Sequence, residues 1–232
     1  MTTAISLYRT TIGKKVIMAV SGLVLVGFVV AHMVGNLKIF LGAESLQHYA
    51  DFLREVGDPL FPRETLLWIA RIVLLASVGA HITAAVQLTR LDKASRPQRY
   101  AVKKITRSYA SRTLRWGGVI LVLFIVYHIL HFTLGQVGYT ATRPYSGEEQ
   151  VFNNVIYGFQ NPLVAGFYIT AMLALGMHLY HGVWSMLQTL GLSTNRRERF
   201  LRGVALVIAA AVVVGNISIP VAVLSGILKP IL

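Results

Sequence analysis

Long apolar runs alternate with short polar stretches along this chain, and five of the runs are of the length, roughly 20 residues, that a helix needs to cross a bilayer. They fall at about 14–36, 65–89, 115–135, 162–189 and 203–228. The stretch 36–64 is too polar to span. Within it, Glu44 to Val56 has the periodicity of a short amphipathic helix and is closed by Gly57, Pro59 and Pro62. The stretch 136–161 holds Gly138, Pro144 and Gly147, runs into Pro162, and reads as an ordered loop. No internal repeat or low-complexity tract interrupts the pattern. The expected architecture is an all-α integral membrane protein, one domain over 1–232, built as a five-helix transmembrane bundle.

Composition agrees with a bilayer as solvent. The chain is 55% hydrophobic and only 13% charged, with a mean hydropathy of +0.61, against about 25% charged for a soluble domain. The first apolar run, Val16 to Val34, is long enough to span and lacks a small-residue cleavage site, so it reads as a retained helix. Net charge is +13, and its distribution predicts orientation. With the N-terminus inside, Arg9, Lys14, Lys15, the basic stretch Arg90 to Arg115, and Arg196, Arg197, Arg199 and Arg202 all lie inside. Lys38, Arg54, Arg63, Arg143 and Lys229 lie outside, and Arg71 sits within the second span. The positive-inside rule then puts the N-terminus in the cytoplasm and the C-terminus outside, in a multi-pass protein of the cell inner (cytoplasmic) membrane. Stretch 90–115 is basic enough to invite a nucleic-acid reading, but topology and anionic lipid headgroups explain it. A docking surface for a cytoplasmic partner is compatible with both; no nucleic acid is expected.

Cysteine is absent, which excludes disulfides, thiolate-held iron–sulfur clusters and covalently attached c-type haem. Any redox centre must use nitrogen, oxygen or methionine sulfur. Of seven histidines, only His48 lies outside the predicted spans. His32 is on the first, His81 on the second, His128 and His131 on the third, His178 and His181 on the fourth. Ionisable groups inside a membrane are costly, face the bundle interior and mark function. With about 1.5 Å of rise per residue, His32, His128 and His131 fall in the outer half of the bilayer, and His81, His178 and His181 in the inner half. Two helices contribute at each level. Facing imidazoles at one depth are the axial ligation of a b-type haem, and two levels would stack two haems across the bilayer. Nearby Gly27, Gly35, Gly79, Ala80, Gly176 and Gly182 leave room for a flat macrocycle or serve ordinary close helix packing. A histidine-dependent transporter or proton channel would use the same residues but would more often add intramembrane acids, and none lies in the five spans. A zinc or copper site would cluster its ligands at one point.

The order of these residues resembles the single-polypeptide, di-haem cytochrome b membrane anchor of succinate dehydrogenase and fumarate reductase. The most specific stretch is Phe167 to Gly191: an FYI start, a histidine eleven residues after the Phe at His178, then Gly182-Val183-Trp184-Ser185. The first helix carries His32, Asn36 and a Gly42-Ala43-Glu44 loop, the second carries His81, and the third carries His128 within LVLFIVYHILHF. The resemblance implies His32 with His128 for an outer haem b and His81 with His178 for an inner one. Depth alone does not choose His128 over His131 or His178 over His181, because a three-residue step puts both imidazoles on nearby faces of a helix. His131 and His181 take supporting places beside the haems. The resemblance also implies flavoprotein and iron–sulfur partner subunits on the cytoplasmic side, where succinate is oxidised. This chain would then be no succinate catalyst itself but the respiratory complex II subunit that hands electrons to membrane quinone, commonly menaquinone in this group. Some fumarate reductases of this family carry a membrane glutamate two residues before the fourth-helix ligand; here that position is Gly176, which favours the succinate-oxidising direction. An anchor of a hydrogenase or formate dehydrogenase is a third reading.

A quinone site needs one or two polar groups in an apolar pocket. Asn36, Glu44, His48 and Asp51 near the outer haem, and Lys14, Ser21 and Trp184 near the inner face, are equal candidates. The sequence singles out none.

Overall fold

The protein is described by a computed structural model, which covers residues 10–95 and 109–231. Basic residues 96, 99, 103, 104 and 107 of the loop, and Arg9, lie outside the described residues. Among the described residues, five helices are long and apolar enough to cross a membrane. They are α1 (Thr11–Asn36), α3 (Thr65–Ala94), α4 (Tyr109–His128, continued by a π turn Ile129–Thr133), α6 (Pro162–Thr189) and α7 (Glu198–Leu224). Two short helices, α2 (Ala43–Glu55) and α5 (Val151–Phe159), lie in the connections.

The helix starts follow local chemistry. Thr10 caps α1, its side chain accepting from Gly13 N at 3.0 Å, and Asn161 caps α6 by accepting from Leu163 N at 3.0 Å, with Pro162 as first residue. The expected surface helix 44–56 is α2. The stretch 136–161, expected as loop, contains α5, and the last helix begins at Glu198 and ends at Leu224 rather than running over 203–228. Gly226, at φ 74°, turns the chain after that end.

Helix α6 is central. It packs against α7, α4 and α1, while α3 lies on α1 and α7 also touches α1. The helices with facing histidines, α1 with α4 and α3 with α6, are not among the closely packed pairs. The core is uneven. Its main cluster sits at one end, where α2 and α5 cover the bundle and Ile39, Leu46, Phe124, Ile156 and Tyr168 meet. Next to it a small cluster of Met33, Leu179, Ala209 and Val212 joins α1, α6 and α7, with Leu175 packed against both. Helix α3 buries little more than Ala84, and large apolar side chains such as Leu75, Leu123, Val207 and Val214 are exposed, as lipid contact requires.

Polar contacts stitch the covered end together. Arg54, whose side chain is 12% exposed, lies 2.9 Å from a Glu148 carboxylate oxygen and 3.8 Å from one of Glu64. Gln47 donates to the Glu148 carbonyl at 3.0 Å and accepts from Val151 N at 3.3 Å. Two neighbouring buried amides use both of their ends on backbone. Asn153 exchanges hydrogen bonds with Ile231 at 2.9 and 3.0 Å, and Asn154 with Gly147 O and Ser146 N at 2.6 and 2.8 Å. Such pairing is what lets an amide be buried at all.

Candidate functional site

The six histidines on the spanning helices resolve into two facing pairs and two flanking residues. His32 and His128 have ring centres 5.9 Å apart with planes at 88°, and His81 and His178 are 6.2 Å apart at 63°. Each pair bridges helices that do not pack closely on each other. The pairs are spaced along α1 by the distance from Ser21, beside His81, to His32: eleven residues, or about 16 Å of helix rise.

The alternatives left open by sequence differ in geometry. His128 faces His32; His131 does not. A π turn begins at Ile129 and widens the angle between the two side chains beyond that of a regular helix. His131 is wholly buried among aromatic rings, 4.0 Å from the Phe132 ring centre and 5.1 Å from that of Tyr139. His178 faces His81, whereas His181 stands 6.2 Å from the Trp184 ring.

Hydrogen bonds assign the ring protons in part. His81 Nδ1 lies 3.2 Å from the Met18 carbonyl oxygen and 3.3 Å from Ser21 Oγ. A carbonyl only accepts, so Nδ1 carries the proton and Nε2 keeps its lone pair, the tautomer of a metal-binding imidazole with an oriented ring. Ser21 donates to Ile17 O at 2.7 Å, which leaves its lone pairs to His81. The ring lies over Gly22 of α1, where a Cβ would stand at an ordinary 3.4 Å from His81 Cε1. His128 Nδ1 lies 3.3 Å from the hydroxyl of Tyr168, and Phe28 stacks on His32 at 5.2 Å. His178 Nδ1 is buried with no partner among the described residues.

These residues fit a haem. Two imidazoles on opposite sides of one metal ion, with bonds of about 2.0 Å, have ring centres about 6.3 Å apart, and both observed pairs approach that value. No group of three or more histidine, aspartate or glutamate side chains arranged to hold a bare metal ion occurs among the described residues. The small residues divide by role. A Cβ on Gly182, one turn from His178 on its face, would meet nothing within 4 Å. Gly35 and Gly176 instead lie against the side chains of Tyr49 and Val213, where a Cβ would collide, so they serve close packing. At Gly176 the collision would be with a methyl of the Val213 side chain on α7, the nearest backbone atom lying 4.0 Å away. A Cβ on Gly27 or Gly79 meets nothing, but Gly79 is two residues from His81 and so on the opposite face of α3.

The polar candidates for a quinone site are dispersed. Ser21 is committed to His81; Asp51 accepts from Gln47 at 3.2 Å and lies 3.9 Å from Arg54. His48 borders an open groove of about 470 Å³ with Asp51, Glu55 and Asp58. Glu44 stands exposed in the first turn of α2, and Asn36 and Lys14 are half-buried. Trp184 Nε1 is buried without a partner among the described residues, and the Arg202 guanidinium covers its ring at 4.2 Å. Sequence reasoning did not single out Tyr168, Met18 or Gly22. Tyr168 lies in the FYI motif, but nothing in a sequence says that its hydroxyl meets a histidine.

A family model for the succinate dehydrogenase/fumarate reductase transmembrane subunit matches residues 89–217. No curated protein and no solved structure matches the chain. The matched segment contains His128, His131, His178 and His181, and stops short of His32 and His81. With more than half of its length matched and five helices among the described residues long and apolar enough to cross a membrane, the chain belongs to the succinate dehydrogenase/fumarate reductase transmembrane subunit family.

Proposed function

We propose that this chain is the haem-b-carrying anchor of a succinate dehydrogenase in the cytoplasmic membrane, passing electrons from an iron–sulfur subunit to membrane quinone, with menaquinone as acceptor. The carrying observation is the pair of imidazole couples, at 5.9 and 6.2 Å, each joining two helices that do not pack closely on each other. His32 with His128 holds the outer haem, and His81 with His178 the inner one. When bound, bis-histidine haem supplies one-electron transfer through an apolar slot. The chain's own residues do the rest. Met18 and Ser21 orient His81, Tyr168 meets His128, and Phe28 and Phe124 shield the outer rings from water. The excess of Lys and Arg in the segments on the N-terminal side supports a cytoplasmic N-terminus and a docking face for the flavoprotein and iron–sulfur subunits, where complementary charge fixes register. Position 176, where the resemblance places a proton-carrying glutamate in some fumarate reductases, is glycine here, which favours succinate oxidation over fumarate reduction.

The test is a dithionite-reduced spectrum of the complex purified with its partners. A b-type band and co-purified flavin with succinate activity are expected; their absence overturns the proposal. His178→Ala should remove the inner haem and retain the outer one, and equal loss of both refutes the pairing.

A further inference from the structure

The hydroxyl of Tyr168 stands between two imidazoles. It lies 3.3 Å from His128 Nδ1 and 3.0 Å from His131 Nδ1, and it is buried at 5% exposure. One hydroxyl has one proton and can donate only once. If His128 gives its Nε2 lone pair to iron, as in the function proposed above, its Nδ1 must carry the proton and donate to Tyr168. The Tyr168 proton is then directed to His131 Nδ1, which accepts. With His131 as the Nε2–H tautomer, its Nε2 without a partner among the described residues, the order of donation is His128 to Tyr168 to His131.

His131 is held in place for this part. It is wholly buried in the π turn, and its opposite edge lies against two glycines. A Cβ on Gly138 would come within 2.6 Å of Nε2, and one on Gly158 within 2.7 Å. Phe132, Tyr127 and Tyr139 close the remaining sides. The ring therefore keeps Nδ1 aimed at Tyr168. Its hydrogen bond from Tyr168 polarises the phenol oxygen and makes it a better acceptor for His128.

We infer that Tyr168, aligned by His131, is a positioning residue for His128 that holds the outer haem at a lower potential than its imidazoles alone would. A stronger acceptor on Nδ1–H makes the imidazole more basic and favours ferric over ferrous iron. The inner site does the equivalent with a backbone carbonyl, Met18 O on His81, joined by the Ser21 hydroxyl.

The experiment is a potentiometric titration of both haems, with low-temperature electron paramagnetic resonance of the ferric forms, on the purified complex. Tyr168→Phe keeps the ring and deletes the acceptor. A tenfold loss of the ferric preference is expected, an upward shift of about 59 mV for a one-electron couple. It should be confined to the outer haem and accompanied by a changed resonance position. His131→Asn, whose Oδ1 can stand where Nδ1 stands, should keep wild-type values, and His131→Leu, which leaves the Tyr168 acceptor but removes its polarising partner, should shift the outer haem in the same direction by less than Tyr168→Phe does. An unchanged outer haem in Tyr168→Phe, or equal shifts in both haems, overturns the inference while leaving the haem assignment intact. If Tyr168→Phe does not assemble, the His131 pair decides, and identical potentials in Asn and Leu overturn it. A wild-type complex with no b-type absorbance refutes the proposed function and this inference together.

Discussion

Gly158→Ala is a small change in a place with no slack. The added methyl would lie 2.7 Å from His131 Nε2, 2.9 Å from His131 Cε1 and 2.9 Å from Phe132 Cε1. All three are closer than a carbon can stand. The imidazole cannot retreat, because Tyr168 already lies 3.0 Å from Nδ1 on its far edge. Overpacking of a closed site costs about 1–3 kcal/mol, and the upper half of that range applies here. Replacing Gly by Ala inside a helix returns about 1 kcal/mol, so the net loss is about 1–2 kcal/mol. For a chain of this length each kcal/mol moves Tm by about 2–4 °C, and Tm should fall by about 2–8 °C. Gly22→Ala is the control, since its methyl meets His81 Cε1 at an ordinary 3.4 Å and the helix gain remains. The assay is thermal unfolding of both variants in the same detergent, followed by tryptophan fluorescence. The reasoning is refuted if Gly158→Ala is as stable as Gly22→Ala.

Asn154→Ala removes two buried hydrogen bonds, to Ser146 N and Gly147 O, and should cost about 2 kcal/mol; limited proteolysis of the 138–147 loop should speed up accordingly, and unchanged cleavage would contradict it. Tyr139 is held well above the usual phenol range by burial first, then by the neighbouring Tyr145 and Tyr127. The folded chain thus keeps this proton more tightly than the unfolded one, so stability is full below about pH 10 and falls as pH rises above it. Denaturation measured from neutral to alkaline pH should show that decline, and Tyr139→Phe should flatten it. Gly182→Leu, filling space one turn from His178, should expel the inner haem while the outer one stays, as read from the reduced spectrum.

The spanning helices were legible because an unbroken run of about twenty apolar residues finds a stable place almost nowhere but in a bilayer. The two levels of histidine followed from helix rise alone. Helix α5 was not legible: Asn153 and Asn154 look like loop residues in VFNNVIYGF, and their burial depends on backbone partners at Ile231 and at Ser146 and Gly147. The difference between His128 and His131 was hidden for a different reason. It rests on a π turn, which residue spacing cannot reveal, and on glycines at 138 and 158 that come together only in the fold. The phenol of Tyr168 belongs to the same class, since its partners lie 37 and 40 residues away.

Helix α6 carries Tyr168 and His178 on one unbroken rod, ten residues apart, or about 15 Å of rise. That rod is a ruler graduated in whole residues. Inserting or deleting one residue between the two marks would turn one centre by about 100° relative to the other, and no adjustment elsewhere could restore both. Length variation among relatives should therefore collect in the connections at either end of α6 and spare the interval from 168 to 178.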